Sequence, residues 1–158
     1  MEEFIIRHAK AEDMPLVLTL IRELAVYEKL EDQVEATLDT LNEWIVEKHR
    51  AEVLIGEWNG EPVGYALFFH NFSTFLGRSG IYLEDVFVRP CARGQGFGKA
   101  FFRYLAALCL ERGCGRLEWC CLDWNQPSID FYRSMGAEAM DEWTIYRLSE
   151  AQLRQLVE

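Results

Sequence analysis

Ile81-Tyr82-Leu83-Glu84-Asp85-Val86-Phe87-Val88, running through Arg89-Pro90 into Arg93-Gly94-Gln95-Gly96-Phe97-Gly98-Lys99, is the stretch on which the reading of this chain turns. Its first eight residues are rich in β-branched and aromatic side chains and predict a strand. The glycine segment predicts a turn into a helix, whose buried stripe is Phe101, Leu105, Leu108 and Cys109, up to Glu111, with Gly113 as a C-terminal cap. Strand, glycine turn and helix in this order suit an anion, because the first N–H groups of a helix lack partners within it and its dipole attracts negative charge. Two phosphate templates fail on spacing. The nucleotide P-loop needs a glycine five residues before Gly98, where Arg93 stands, and a hydroxyl residue after Lys99, where Ala100 stands. The dinucleotide fingerprint needs G-x-G-x-x-G, whereas Gly94, Gly96 and Gly98 are evenly spaced. A turn that uses glycine only for its permitted angles is the alternative. The local charge favours an anion: between Arg89 and Arg116 six basic residues face Glu111 alone.

Working towards the N-terminus, Asn59-Gly60 between Val53–Trp58 and Pro62–Phe69 predicts a hairpin, since this pair accepts the positive φ angles of a type I′ turn. Apolar periodicity predicts helices over residues 13–28 and 37–48, and Phe4–Arg7 reads as a first strand. Towards the C-terminus, strands are expected at Leu117–Leu122 and Thr144–Leu148, with helices over Pro127–Met135 and from Ser149. Early hairpin pairing followed by alternation of strands and helices implies an α/β fold with a mixed sheet. At 158 residues, with no repeat or linker, residues 1–158 are expected to form one domain.

The 16 basic and 26 acidic side chains give a formal charge of -10, which disfavours nucleic acid as a partner and favours cationic ligands. The acidity concentrates in residues 1–60, with 14 acidic against 6 basic groups. Cysteines at 91, 109, 114, 120 and 121 show neither zinc-ligand spacing nor an even framework, so reduced thiols and no metal are expected. No signal-peptide pattern follows Met1, and no apolar run approaches the roughly 18 residues of a membrane span. The chain is accordingly expected in the cytoplasm, with no membrane partner.

Arg93–Gly98 resembles the R/Q-x-x-G-x-G/A signature of the GNAT superfamily of acyl-CoA N-acyltransferases, and the order of elements agrees along the chain. Leu122–Tyr132 followed by Gly136-Ala137 is similar to that superfamily's second cofactor segment, an Asn after the fifth strand and a Tyr seven residues on. Glu23–Glu28 with Glu31, Gln33-Val34, Tyr82–Asp85 and the Leu122–Gln126 run resemble the spermidine/spermine (diamine) and thialysine N-acetyltransferase branch. The resemblance implies a mixed, mostly antiparallel sheet flanked by helices. It also implies acetyl-CoA as the donor, a homodimer, and acetylation of a primary amine of a small cationic metabolite such as a polyamine, a diamine or a lysine analogue.

By the same resemblance, Arg93, Gly94, Gln95, Gly96, Phe97, Gly98 and Lys99 cradle the pyrophosphate, and Asn125 and Ser128 belong to the second cofactor segment. Val86, Phe87 and Val88 offer backbone groups to the pantetheine arm, Glu84 relays the amine proton, and Tyr132 protonates the leaving thiolate. Tyr27, Glu28, Glu84 and Asp85 line the amine pocket, with Glu118 on the same wall. Read from the residues alone, Tyr132 could be a core tyrosine, Glu28 a solvated helix end, and Glu84 a partner of Arg78 or Arg89. In a regular strand Glu84 and Asp85 point to opposite faces and cannot act as a pair. Cys120 or Cys121 could carry the acetyl group, but no histidine stands in a motif that would activate either, so direct attack in a ternary complex is expected. The rival functions are a protein or peptide N-acetyltransferase and a catalytically silent acyl-CoA-binding module.

Overall fold

The computed structural model describes residues 2–158. They fall into two compact units, one ending at Cys120 and the other spanning Cys121–Glu158. The first unit runs β1 (Phe4–His8), α1 (Met14–Tyr27), α2 (Leu38–Leu41), β2 (Glu52–Trp58), β3 (Glu61–Ser73), β4 (Arg78–Val88), α3 (Phe97–Glu111) and β5 (Leu117–Trp119). Strand order follows the sequence; β1 to β4 pair antiparallel and β5 joins β4 in parallel, so the sheet is mixed and mostly antiparallel as expected. The Asn59-Gly60 turn has φ of 51° and 84° at its two central residues, the left-handed pair that a tight hairpin needs. The helix expected over residues 37–48 begins as α2 and widens over Asn42–Glu47 into a π-helical turn.

Helices cover both faces of the sheet. Val53, Ile55, Tyr65 and Phe87 pack with Val17, Leu20 and Leu24 of α1 and Leu41 of α2 in one core. On the other face Gly56 and Gly64 lie under Phe101 of α3. A Cβ at Gly64 would also strike the Phe87 carbonyl, so a side chain there would wedge β3 from β4.

One residue changes the phase of β4. Phe68 pairs with Leu83 and Leu67 with Asp85, which leaves Glu84 as the extra residue of a β-bulge. Leu67 belongs to the α1 face and Phe68, under the Arg112 guanidinium, to the α3 face. Side chains directly opposite in a sheet share a face, so Leu83 faces α3 while Asp85 and Phe87 face α1. In a regular strand all three would share one face.

β5 is shorter than the expected Leu117–Leu122, its last pair with β4 being Leu83↔Trp119. The bulge bends β4 at the next residue, so a parallel partner cannot follow it further. In the second unit α4 (Gln126–Ser134) and α5 (Glu150–Leu156) appear where helices were expected over Pro127–Met135 and from Ser149, but Thr144–Leu148 forms no strand. Ile145, Tyr146 and Leu148 are 69%, 92% and 53% exposed, and β propensity without a paired neighbour makes no strand.

Candidate active site

Past Leu83↔Trp119, β4 continues to Val88 with β3 on one side only. Which backbone groups face its open edge follows from the alternation of an antiparallel ladder. The Arg89 N–H donates to Val63 O at 2.7 Å, which makes Arg89 and, two residues back, Phe87 the residues bonded to β3. The backbones of Val86 and Val88 therefore point away from β3. The Val88 carbonyl confirms this by accepting Arg93 Nε at 2.9 Å. Of the three residues expected to offer backbone hydrogen bonds, Val86 and Val88 can do so. Phe87 turns its backbone to β3 and its ring into the core.

The chain then enters the glycine turn. Gly94 and Gly96 have φ of 78° and 84°, values that favour glycine, and a Cβ at either would meet nothing within 4 Å. Gly96 caps α3 without a side-chain hydrogen bond, so the helix opens onto this space with its first N–H groups uncapped by any side chain. Gln95 and Lys99 are exposed around it. This cradle, open above and basic around its rim, fits the pyrophosphate of acetyl-CoA. Phe97 has another role: its ring is buried, stacked on Phe4 at 3.9 Å and edge-on to Trp58, and so anchors the start of α3. Arg93 folds back from the turn, its guanidinium 4.7 Å from the centre of the Tyr27 ring. That contact ties the turn to the end of α1.

At the same end of β4 carboxylates gather. Asp85 accepts a hydrogen bond from the Tyr65 hydroxyl at 2.9 Å. Burial pushes Asp85 up to about 6; the Tyr65 bond lowers it, and the charges of Glu84 and Glu28 raise it further. Burial likewise raises Glu28, at the C-terminal end of α1, and holds the Tyr65 hydroxyl protonated. The bulge thus brings Glu84 and Asp85 into one electrostatic group with Glu28, which a regular strand would not do. Arg89 is engaged with Glu23 by two bonds of 2.8 and 2.9 Å, and Arg78 with the Gly113 carbonyl, so neither neutralises the exposed Glu84. Glu118 stands apart, held on β5 by Arg116 at 3.0 Å and Asn71 at 3.2 Å. Tyr65 was not among the expected site residues. In sequence it is one more aromatic of a core strand, and only the register of β3 on a bulged β4 places it beside Asp85.

In the second unit, the Asn125 side chain is buried and its Oδ1 accepts from the Ser128 N–H at 3.4 Å, capping α4. Tyr132 lies half-buried on that helix, its ring 5.8 Å from that of Phe131.

These features define an acyltransferase fold with a cofactor cradle. Residues 17–137 match the acetyltransferase (GNAT) family, and the chain belongs to it. It is an acetyltransferase whose acyl donor is acetyl-CoA. The thialysine N-epsilon-acetyltransferase of Bos taurus is 39% identical over 164 residues, covering 96% of each chain. The Homo sapiens spermidine/spermine N(1)-acetyltransferase-like protein 1 is 31% identical over 97% of this chain and 24% of its own length. Among solved structures, an integron cassette protein from the mobile metagenome of V. cholerae shares the fold with a TM-score of 0.80 at 24% identity, covering 98% of both chains. No helix among the described residues is long and apolar enough to cross a membrane.

Proposed function

We propose that this acetyltransferase modifies a primary amine of a small metabolite that carries a second positive charge, a polyamine, a diamine or a lysine analogue, by direct attack in a ternary complex. The observation that carries the acceptor is the grouping of Glu28, Glu84 and Asp85 where β4 opens. Asp85 is buried and feels the charges of both Glu84 and Glu28, and Glu28 is itself raised by burial, an arrangement that is costly until a cation joins it. The names of the relatives, which act on thialysine and resemble spermidine/spermine acetyltransferases, point to the same acceptor class.

In this reading acetyl-CoA supplies the acetyl group already activated as a thioester. Residues 93–99 hold the pyrophosphate, Val86 and Val88 hold the pantetheine arm, and the N–H of Val86 bonds the acetyl oxygen as negative charge develops there. Glu84 accepts the ammonium proton through water, which leaves the nitrogen lone pair to form the C–N bond. The C–S bond breaks as the Tyr132 hydroxyl gives its proton to sulfur, and the newly bonded nitrogen gives up its second proton, which restores the phenol and leaves a neutral amide. Asn125 and Ser128 complete the cofactor segment, and Tyr27, Glu28, Asp85 and the more distant Glu118 act on the acceptor. We propose that residues 1–158 work as one acetyltransferase domain in a cytoplasmic homodimer. Five cysteines outside any disulfide support a reducing compartment, and the family resemblance supports the dimer.

The test is coenzyme A release with spermidine, putrescine, thialysine, lysine and short peptides. Turnover of diamines above peptides supports the proposal; peptides preferred would make the chain a peptide acetyltransferase, and no turnover of any amine would leave an acyl-CoA-binding module.

A further inference from the structure

We infer that Tyr65 is a positioning residue for the acceptor: its buried hydroxyl holds the Asp85 carboxylate as the counter-charge for the second ammonium of a dicationic amine. This rests on the acceptor reading above. The Tyr65 side chain is wholly buried on β3, between its cross-strand partners Ile55 and Phe87. Its ring is 6.5 Å from that of Phe87, and both belong to the core under α1, so the ring has little freedom. The hydroxyl reaches Asp85 Oδ2 at 2.9 Å. A phenol kept protonated by burial can only donate to a carboxylate, so the bond favours the charged form and fixes one of its two oxygens.

The groups that face Asp85 make this donor decisive. Glu84 from its own strand and Glu28 from the end of α1 both oppose a third negative charge, as does burial. Tyr65, from β3, opposes all three. Arg93, in the loop that follows β4, lies over the rings of Tyr27 and Phe87. Without the hydroxyl, Asp85 would stay protonated into the neutral range, and the site would lose a charge that distinguishes a diamine from a monoamine.

The experiment compares 1,4-diaminobutane with butylamine as acceptors for the parent, Tyr65→Phe and Asp85→Asn, from pH 5.5 to 8.5. The quantity read is the diamine-over-monoamine ratio of kcat/KM, each variant divided by the parent at the same pH, which cancels the acceptors' own ionisation. For Tyr65→Phe the midpoint of the diamine preference should move up by about one pH unit, the size of one hydrogen bond to a charged group. The preference should then fall roughly threefold at pH 6.5, mainly through KM, and recover by pH 8.5. For Asp85→Asn the ratio to the parent should fall as pH rises through 6 and stay low, because the parent gains a charge that the variant lacks. A Tyr65→Phe loss that does not recover with pH would make the hydroxyl merely structural and overturn the inference, as would a parent-like ratio throughout. If Tyr65→Phe does not fold, an Asp85→Asn variant that keeps the parent's pH-dependent preference overturns it equally. A parent that turns over both amines without preference would instead overturn the dicationic acceptor itself.

Discussion

Asp85 and Asp13 are both carboxylates bonded by a neighbouring side chain, yet their linkage to folding has opposite sign. For Asp13 the Arg7 guanidinium, at 2.7 and 2.9 Å, holds the carboxyl below its ordinary range. Its stabilisation is present at neutral pH and is lost as pH falls through the depressed pKa. Asp85 has a folded-state pKa raised to about 6, so the folded chain is favoured below the ordinary carboxylate range and loses that advantage as pH rises through 6. Asp85→Asn should therefore raise Tm at pH 7, with the gain disappearing near pH 4, while weakening diamine binding; thermal unfolding across this range checks it. The role proposed for Tyr132 lies in the reaction rather than in stability. Tyr132→Phe removes only a hydroxyl, and should lower kcat by about 10²- to 10⁴-fold with the KM for acetyl-CoA nearly unchanged, measured under conditions where chemistry limits the rate.

At the scale of elements, the glycine turn is set by backbone angle rather than by crowding. Gly96, at φ 84° with open space where a Cβ would stand, caps the helix proposed to receive the anion. Gly96→Val strains the left-handed residue and fills that space, so acetyl-CoA affinity measured by calorimetry should fall by about tenfold or more, each tenfold being about 1.4 kcal/mol. The turn, the Asn59-Gly60 hairpin and the helices were legible in the sequence because each is specified by residues close together along the chain. The bulge was not, since an extra residue exists only relative to a partner strand. What depended on the bulge was hidden from the residues with it: the reach of Tyr65, the end of β5 at Trp119, and the physical basis for grouping Glu84 with Asp85, which only the family resemblance had placed in one pocket. Thr144–Leu148 failed for a related reason, because its alternation states which side chains would share a face but not that a neighbour is there to pair.

At the scale of the whole chain, residues 1–60 are acidic and residues 89–116 basic, a division suited to the proposed reaction, in which the donor is an anion and the acceptor a cation. Added salt should screen both attractions. For a diamine kcat/KM is expected to fall between low and physiological ionic strength, where the Debye length shrinks to about 8 Å, and to fall less for a monoamine. Steady-state rates over a salt series measure this. The bulge at Glu84 also acts at this scale. Counting along β4, the two halves of the strand obey opposite parities, Leu83 belonging to one layer of the protein and Asp85 and Phe87 to the other. Residue 84 works as an insertion does in a reading frame. Removing it would delete the proton acceptor and the bend but leave the layers as they are: Leu83 and Asp85 would become consecutive residues of a regular strand, still facing α3 and α1. Glu84→Gln and a one-residue deletion at 84 should therefore both fold and both lose activity; circular dichroism checks the fold of the two proteins and coenzyme A release their activity.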